Sequence, residues 1–281
     1  EPAASACGVV HLVDIGLELN DASVVALQAE DVAAMVPTPS SFAQKYTRGV
    51  VGVRTGSASY PGAAVLGTAG ASCGLAGMVR YVGAAADAVR ARHPEVVVGA
   101  GRVQAWVVGS GGDKDAQKAM TAALADDVPL VADADALSHV QAPMDRPALL
   151  TPHAGELAAM LGVGRTEVEA DQLGFARRAA REYAAVVLLK GPHTLVAAPN
   201  GRVRVSTSGV PWLAVAGAGD VLAGLCGALL AAGLSPYDAG SVGSWLHGAA
   251  AALASGGGPI TATEVAEAIP AVVRRLLDRV D

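Results

Sequence analysis

Short runs of consecutive apolar residues, many of them Val, alternate along this chain with longer Ala-rich windows of helical period. The runs that read as strands are Val50–Arg54, Glu95–Gly99, Trp106–Gly109, Pro129–Asp133, Ala148–Thr151, Val186–Lys190, Thr194–Ala198 and Arg202–Val205. Between and after them lie helical windows at Lys114–Asp126, Gly155–Leu161, Thr166–Tyr183, Asp220–Ala232, Pro236–Ser255 and Thr263–Arg279. Strands that are apolar at every position, rather than at alternate ones, are covered on both faces, and strand–helix alternation predicts a mainly parallel sheet. The last three strands differ. Gly191–His193 and Pro199–Gly201 are too short to carry a crossover helix, so this end of the sheet is expected to be antiparallel. Val36–Ser41, with two prolines, reads as a linker, and Val9–Met35 ahead of it as a strand plus a short helix of unspecified attachment.

The 281 residues suit one large α/β domain. Hydrophobic residues make up 52% and charged ones 16%, which excludes general disorder. A net charge of −6 argues against a nucleic-acid partner. Cys7, Cys73 and Cys226 lie far apart, without metal-ligand spacing, and read as buried free thiols in a reducing compartment, here the cytoplasm. The two long uncharged stretches, Thr55–Val79 and Ala239–Thr263, are rich in Gly, Ser and Thr and do not read as membrane spans. The chain starts at Glu1, which suits a piece of something longer.

Five stretches carry candidate chemistry. In AVAGAGDVLAGL, Gly217 and Gly219 precede Asp220 at the start of a helical window. A glycine-rich turn into a helix N-terminus presents backbone N–H groups to a phosphate. Asp220 there is either a base for a hydroxyl in phosphoryl transfer or a plain helix cap. In LLTPHAGELAAML, His153 and Glu156 lie just past a strand end, where open α/β sheets bind ligands; the alternative is a turn histidine and a first-turn acid. Lys190 opens KGPHT at another strand end and either meets a nucleotide phosphate or simply ends a hairpin strand. VVGSGGD, holding Gly111, resembles a phosphate or substrate loop but has no GxxxxGK[ST] or GxGxxG pattern. In KYTRGVVGVRTGSASYPGAA, small residues either admit a flat ring or pack a tight turn. Asp133 and Asp135 can hold Mg²⁺ through water, but no His/Cys cluster marks a metal site.

Taken together, KYTRGVVGVRTGSASYPGAA, GSGGD, LLTPHAGE, VVLLKGPHT and AGAGDVLAG resemble the ADP-dependent NAD(P)H-hydrate dehydratases, a ribokinase-like family. The resemblance runs from about Lys45 to Gly224 and extends through the C-terminal helices. Ala218 stands where the family often carries Thr, and Ser110–Gly111–Gly112 where it often has PGL; both changes keep the backbone donors. The resemblance implies a three-layer α/β/α sandwich around a mainly parallel sheet. It implies that Ala63, Ala64, Gly111, His153 and Asp220 line the hydrated dinucleotide, NADHX or NADPHX. Lys190, Gly191, Pro192, His193, Thr194 and Gly219 would hold the adenine nucleotide, ADP with Mg²⁺. Asp220 would act as base, with the Gly217–Gly219 amides stabilising the transferring phosphoryl group. It further implies a homo-oligomer, a tetramer, and a fused NAD(P)HX epimerase half. Residues 1–40 would then be the junction and 41–281 the dehydratase domain. A small-molecule alcohol kinase of the same superfamily and a catalytically silent nucleotide-binding domain are the competing readings.

Overall fold

In a computed structural model, residues 11, 13–17, 22–112 and 115–278 are described. Cys7, the first residues of the Val9–Met35 segment, Lys114 and Arg279 lie outside them. The strands are β1 (Val24–Ala26), β2 (Val50–Arg54), β3 (Met78–Tyr81), β4 (Val97–Val98), β5 (Ala105–Val108), β6 (Leu130–Ala132), β7 (Ala148–Leu150), β8 (Val186–Leu189), β9 (Thr194–Ala197) and β10 (Val203–Ser206). The helices are α1 (Ala29–Met35), α2 (Pro61–Ala71), α3 (Ala86–Arg92), α4 (Ala116–Leu124), α5 (Ala154–Leu161), α6 (Arg165–Ala170), α7 (Gln172–Glu182), α8 (Ala218–Ala231), α9 (Pro236–Ser255) and α10 (Ala262–Leu277).

The strands form one sheet in the order β1-β10-β9-β8-β7-β6-β5-β2-β3-β4. Its pairs are parallel except for β8 with β9 and β9 with β10, so β9 alone runs against the rest. That is the expected antiparallel end, reached through the two short connections.

The period-two alternation of strand side chains sorts the apolar residues into two layers. Val51, Val53, Val107, Val131, Leu149 and Leu188 face α8, α9 and α10 on one side. Val108, Leu130, Leu150, Val187 and Leu189 face α4, α5, α6 and α7 on the other. This is the three-layer α/β/α sandwich. On the first face α2 and α8 touch backbone to backbone. A Cβ at Gly70 would fall 2.1 Å from the Val221 carbonyl oxygen, and one at Gly224 2.0 Å from that of Gly67. Cys73 and Cys226 are buried free thiols in this layer.

Several elements differ from the sequence reading. β3 and α3 were not expected: Arg80 interrupts the apolar run of β3, and both elements are short. The Glu95–Gly99 strand shrinks to two residues at the sheet edge. The Thr166–Tyr183 helix is two helices, because Asp171 leaves the helical conformation and its side chain accepts from the Gly174 amide to start α7. Helix α8 begins at Ala218, two residues earlier than expected, with Gly217 as its N-cap. Residues 24–35, ahead of the expected domain start at 41, add edge strand β1 beside β10 and helix α1 beside α10. Among the described residues no helix is long and apolar enough to cross a membrane.

Candidate active site

The N-terminus of α8 is built on backbone geometry. Gly217 has φ +88°, and a Cβ there would fall 2.3 Å from Leu66 Cδ1, so both conformation and space call for glycine. No side chain caps this helix. The first-turn amides of a helix have no helical carbonyl four residues back; here the Ala218 amide donates to the Val215 carbonyl at 3.4 Å, while those of Gly219 and Asp220 receive no side-chain cap. Asp220 sits in the first turn rather than at the N-cap, which removes the reading of it as a plain cap.

A charged cluster closes on this turn from three strand ends. Asp133 follows β6, is 3% exposed, and its Oδ1 accepts from Lys190 Nζ at 2.7 Å and from Thr151 Oγ1 at 2.8 Å. Lys190 follows β8, and its Nζ also lies 3.7 Å from Glu156 Oε2. Its amide donates to the Pro152 carbonyl at 2.8 Å, carrying the β7–β8 pairing past the strands to His153. A Cβ on Gly219 would lie 3.5 Å from Lys190 Nζ and 3.9 Å from Asp133 Oδ2, so the helix turn rests against the ion pair.

Burial raises the Asp220 pKa, the Ser110 hydroxyl opposes this, Asp133 adds to it and Lys190 subtracts, leaving the carboxyl at about 6 rather than 3.8. A carboxyl poised there can take a proton near neutral pH. Burial pulls Lys190 down, but Asp133, Glu156 and Asp220 outweigh it and hold the ammonium above its ordinary value. Lys190 therefore stays charged. Asp133 Oδ1 is thus engaged by Lys190 and Thr151. Among the described residues no three His, Cys, Asp or Glu side chains converge as a metal site.

The loops after β2 and β5 complete the cleft. Gly111 has φ +62°, and a Cβ there would fall 2.8 Å from the Ala63 Cβ. The Gly56 amide donates to the Ser110 carbonyl at 2.6 Å, and a Cβ on Gly56 would meet that of Ala64 at 2.6 Å. Gly67, one turn further along α2, lies close to the Asp220 carbonyl. Ala63, Ala64, Gly111, Gly217, Gly219, Asp220 and Lys190 thus come together at the carboxyl ends of the strands.

His153 reaches the same edge as the N-cap of α5. Its Nδ1 accepts from the Glu156 amide at 3.1 Å, while Glu156 Oε2 accepts from the His153 amide at 2.7 Å. That reciprocal box engages the Glu156 amide in the first turn of α5 and the His153 amide ahead of it. Gly191 and Pro192 are exposed, His193 and Thr194 half-buried, and Thr194 opens β9 opposite Ser206.

The sequence reading missed Ser110, Thr151 and His247. His247 is buried in α9 with its Nε2 unpartnered. Burial lowers its pKa to about 4, opposed by the Ala218 backbone beside the ring. A lone imidazole in an Ala- and Gly-rich helix was the available signal.

The sequence profile of the NAD(P)H-hydrate dehydratases matches residues 51–271. The bifunctional NAD(P)H-hydrate repair enzyme Nnr of Mycobacterium leprae is 46% identical over 90% of this chain and 56% of its own length. This chain therefore spans about half the length of such relatives. The ADP-dependent (S)-NAD(P)H-hydrate dehydratase of Neisseria meningitidis is 36% identical over 84% of this chain and 87% of its own. The crystal structure of the ADP/ATP-dependent NAD(P)H-hydrate dehydratase of Bacillus subtilis, co-crystallised with ATP and Mg²⁺, superposes with a TM-score of 0.85 at 28% identity, covering 90% of this chain and 99% of that one. A ribokinase-like superfamily protein of Enterococcus faecalis shares the fold, with a TM-score of 0.81 at 21% identity over 92% and 99% of the two chains. The three-layer architecture is thus the ribokinase-like one, and the chain belongs to the NAD(P)H-hydrate dehydratase family.

Proposed function

We propose that this chain is an ADP-dependent dehydratase for the S-epimer of NADHX and NADPHX. The observation that carries the proposal is Asp220, a carboxyl tuned to about 6, in the first turn of an uncapped helix beside the Lys190–Asp133 ion pair. In this reading Asp220 takes the proton of the ring hydroxyl as its oxygen attacks the β-phosphorus of ADP, and AMP leaves. The Gly217–Gly219 turn offers its amides to the transferring phosphoryl group. The phosphorylated ring carbon then loses phosphate, and a proton leaves the neighbouring carbon to restore the double bond. The sum is hydrate plus ADP to NAD(P)H, AMP and phosphate.

Ala63, Gly111 and His153 line the ring with Asp220, and Ala64, fully buried behind Gly56, backs that wall rather than facing the ring. Their support is the contact of Gly111 with Ala63 and the lack of side-chain bulk along that wall. Lys190, Gly191, Pro192, His193, Thr194 and Gly219 hold the adenine nucleotide, with the charged Lys190 at its phosphates. Mg²⁺ arrives with the nucleotide: among the described residues no cage of three His, Cys, Asp or Glu side chains forms, and Mg²⁺ is ordinarily held by phosphates and water. When bound, it neutralises phosphate charge. We read the start of the expected 1–40 segment as leading to an epimerase half, with residues 24–35, which add β1 and α1 to the sandwich, belonging to the dehydratase domain with 41–281. We also propose a tetramer, since Ala- and Gly-rich helices allow close packing. The cytoplasm suits two buried, unpaired thiols.

The test mixes the protein with NADHX, Mg²⁺ and either ADP or ATP and follows the reduced-nicotinamide absorbance. The proposal expects recovery with ADP, accompanied by AMP. Recovery with ATP alone changes the donor. No recovery from folded protein overturns the dehydratase reading and leaves an alcohol kinase or a silent binding domain.

A further inference from the structure

Beyond the residues above, the strand ends hold an unassigned cation. Arg54 is the last residue of β2. Its guanidinium lies 4.4 Å from the centre of the Trp106 ring, and its Nε is buried without a hydrogen-bond partner. The neighbouring carboxylate, Asp126, attracts the guanidinium electrostatically but uses its Oδ2 to accept from the Trp106 indole N–H at 2.8 Å. Arg54 also borders two cavities, of about 420 and 540 Å³. The smaller opens directly from the loops of the site: Gly56 and Gly112 line it, Val82 and Ala119 form apolar wall, and Lys118 supplies a second cation. Asp115 lines it as well.

Strand order gives the direction. Along the carboxyl edge the sheet runs β8, β7, β6, β5, β2, β3. The edge thus presents Lys190, then His153, Asp133, Gly111 and finally Arg54. If ADP sits at the Lys190 end and the reacting ring at Gly111, what remains of an extended dinucleotide continues past β2, away from the ADP. That is where the smaller cavity lies, with a nucleoside-sized volume, a mostly apolar wall and two cations.

We infer that the cavity between the end of β2 and α4 takes the adenosine half of the hydrated dinucleotide, with Arg54 and Lys118 binding its phosphate groups. This inference rests on the dehydratase reading. A guanidinium with an unpartnered N–H, seated over an indole ring, is pre-ordered for an oxyanion and loses little side-chain freedom on binding. Lys118, exposed on α4, is free to follow the ligand.

The test compares Arg54→Gln and Lys118→Ala with the parent. Steady-state kinetics at saturating ADP are measured with NADPHX and NADHX, and calorimetry measures binding of unreactive NADP⁺ and NAD⁺ with the ADP site filled. Each variant is expected to raise KM for the hydrate about tenfold, the worth of a charge-assisted hydrogen bond, and to weaken NADP⁺ in step. The kcat and the KM for ADP should stay as in the parent. A larger loss with NADPHX than with NADHX puts the cations on the 2′-phosphate, and an equal loss puts them on the pyrophosphate; either supports the inference. Unchanged KM and NADP⁺ binding in both variants overturn it, as does a rise confined to ADP. Because Lys118 is exposed, its variant decides the matter even if Arg54→Gln does not fold. If the parent binds NADP⁺ but dehydrates nothing, the dehydratase reading fails. The cavity assignment then stands or falls on whether the two variants weaken that binding.

Discussion

Helices α5 and α8 both start at the carboxyl edge of the sheet, within reach of the same lysine, yet they treat their first turns in opposite ways. In α5, His153 and Glu156 exchange hydrogen bonds with each other's amides, so the Glu156 amide in the first turn is occupied by a side chain. In α8 the N-cap is a left-handed glycine with no side chain to offer; the Ala218 amide donates back to the Val215 carbonyl at 3.4 Å, and the Gly219 and Asp220 amides receive no side-chain cap. The carboxylate of α8 is also left unbonded to any amide of its own turn, so burial can lift its pKa to about 6. The first arrangement stabilises a helix. The second forgoes that stabilisation and keeps a set of donors and a base available for a ligand. Capping thus separates a structural helix start from a reactive one, although both carry an acid three residues after the N-cap.

The comparison breaks most sharply at Asp220. Asp220→Asn should keep the circular dichroism of the parent while turnover falls by about 10²–10⁴-fold, the usual share of a general base. Parent activity should fall as pH drops through about 6, because the carboxylate is the working form, and the variant should lack this limb. The stability effect has the opposite sign. The folded pKa lies above the unfolded value of 3.8, so this group favours the fold below that value and loses the advantage as pH rises through about 6. Asp220→Asn should therefore be more stable than the parent at pH 7 in denaturant titrations, by on the order of 1–3 kcal/mol. An unchanged or lower stability there would mean that the buried carboxylate is not under strain.

Next comes the ion pair on which both helix starts rest. Lys190→Met leaves Asp133 buried and unpaired and should lower unfolding free energy by about 3–5 kcal/mol. Adding Asp133→Asn should return much of that stability without restoring ADP affinity. Recovery of both would reduce Lys190 to a structural partner. Gly219→Ala is milder. The added methyl meets Lys190 Nζ at 3.5 Å, an ordinary contact, so melting temperature should hold. The anion seat narrows, and KM for ADP should rise about tenfold through lost charge-assisted bonds.

The smallest effect separates the two roles of His153. His153→Ala removes the α5 cap and should cost about 1 kcal/mol of stability. His153→Asn keeps a capping oxygen and should restore stability while KM for the hydrate stays raised. If Asn restores both, His153 is only a cap and α5 contributes no ligand.

Much of this fold was legible because parallel strands buried on both faces leave uninterrupted apolar runs; β2, β5, β6, β7 and β8 each occupy one. The short or edge elements were not: β3 carries Arg80, whose guanidinium satisfies the Gly99 carbonyl, and β4 keeps only two residues. The helix break at Asp171 was hidden because no proline marks it and helix-compatible residues lie on both sides. In the site, the glycine turns and their acid or lysine neighbours stood out locally. Nothing local tells that Lys190 pairs with Asp133 rather than Asp135, or that Ser110 and His247 stand beside the α8 turn.

By itself the sequence determined the layers, the direction of most strands and the five loops that carry polar groups, since these follow from periodicity and turn chemistry within a few residues. Tertiary structure alone decided which loops are neighbours. The order β8-β7-β6-β5-β2 sets Lys190 against Asp133 across 57 residues of chain. It also buries Asp220 deeply enough to move its pKa and leaves Arg54 on Trp106 at the far end of the cleft. Desolvation and long-range pairing depend on everything packed around a group, and no stretch of sequence contains that.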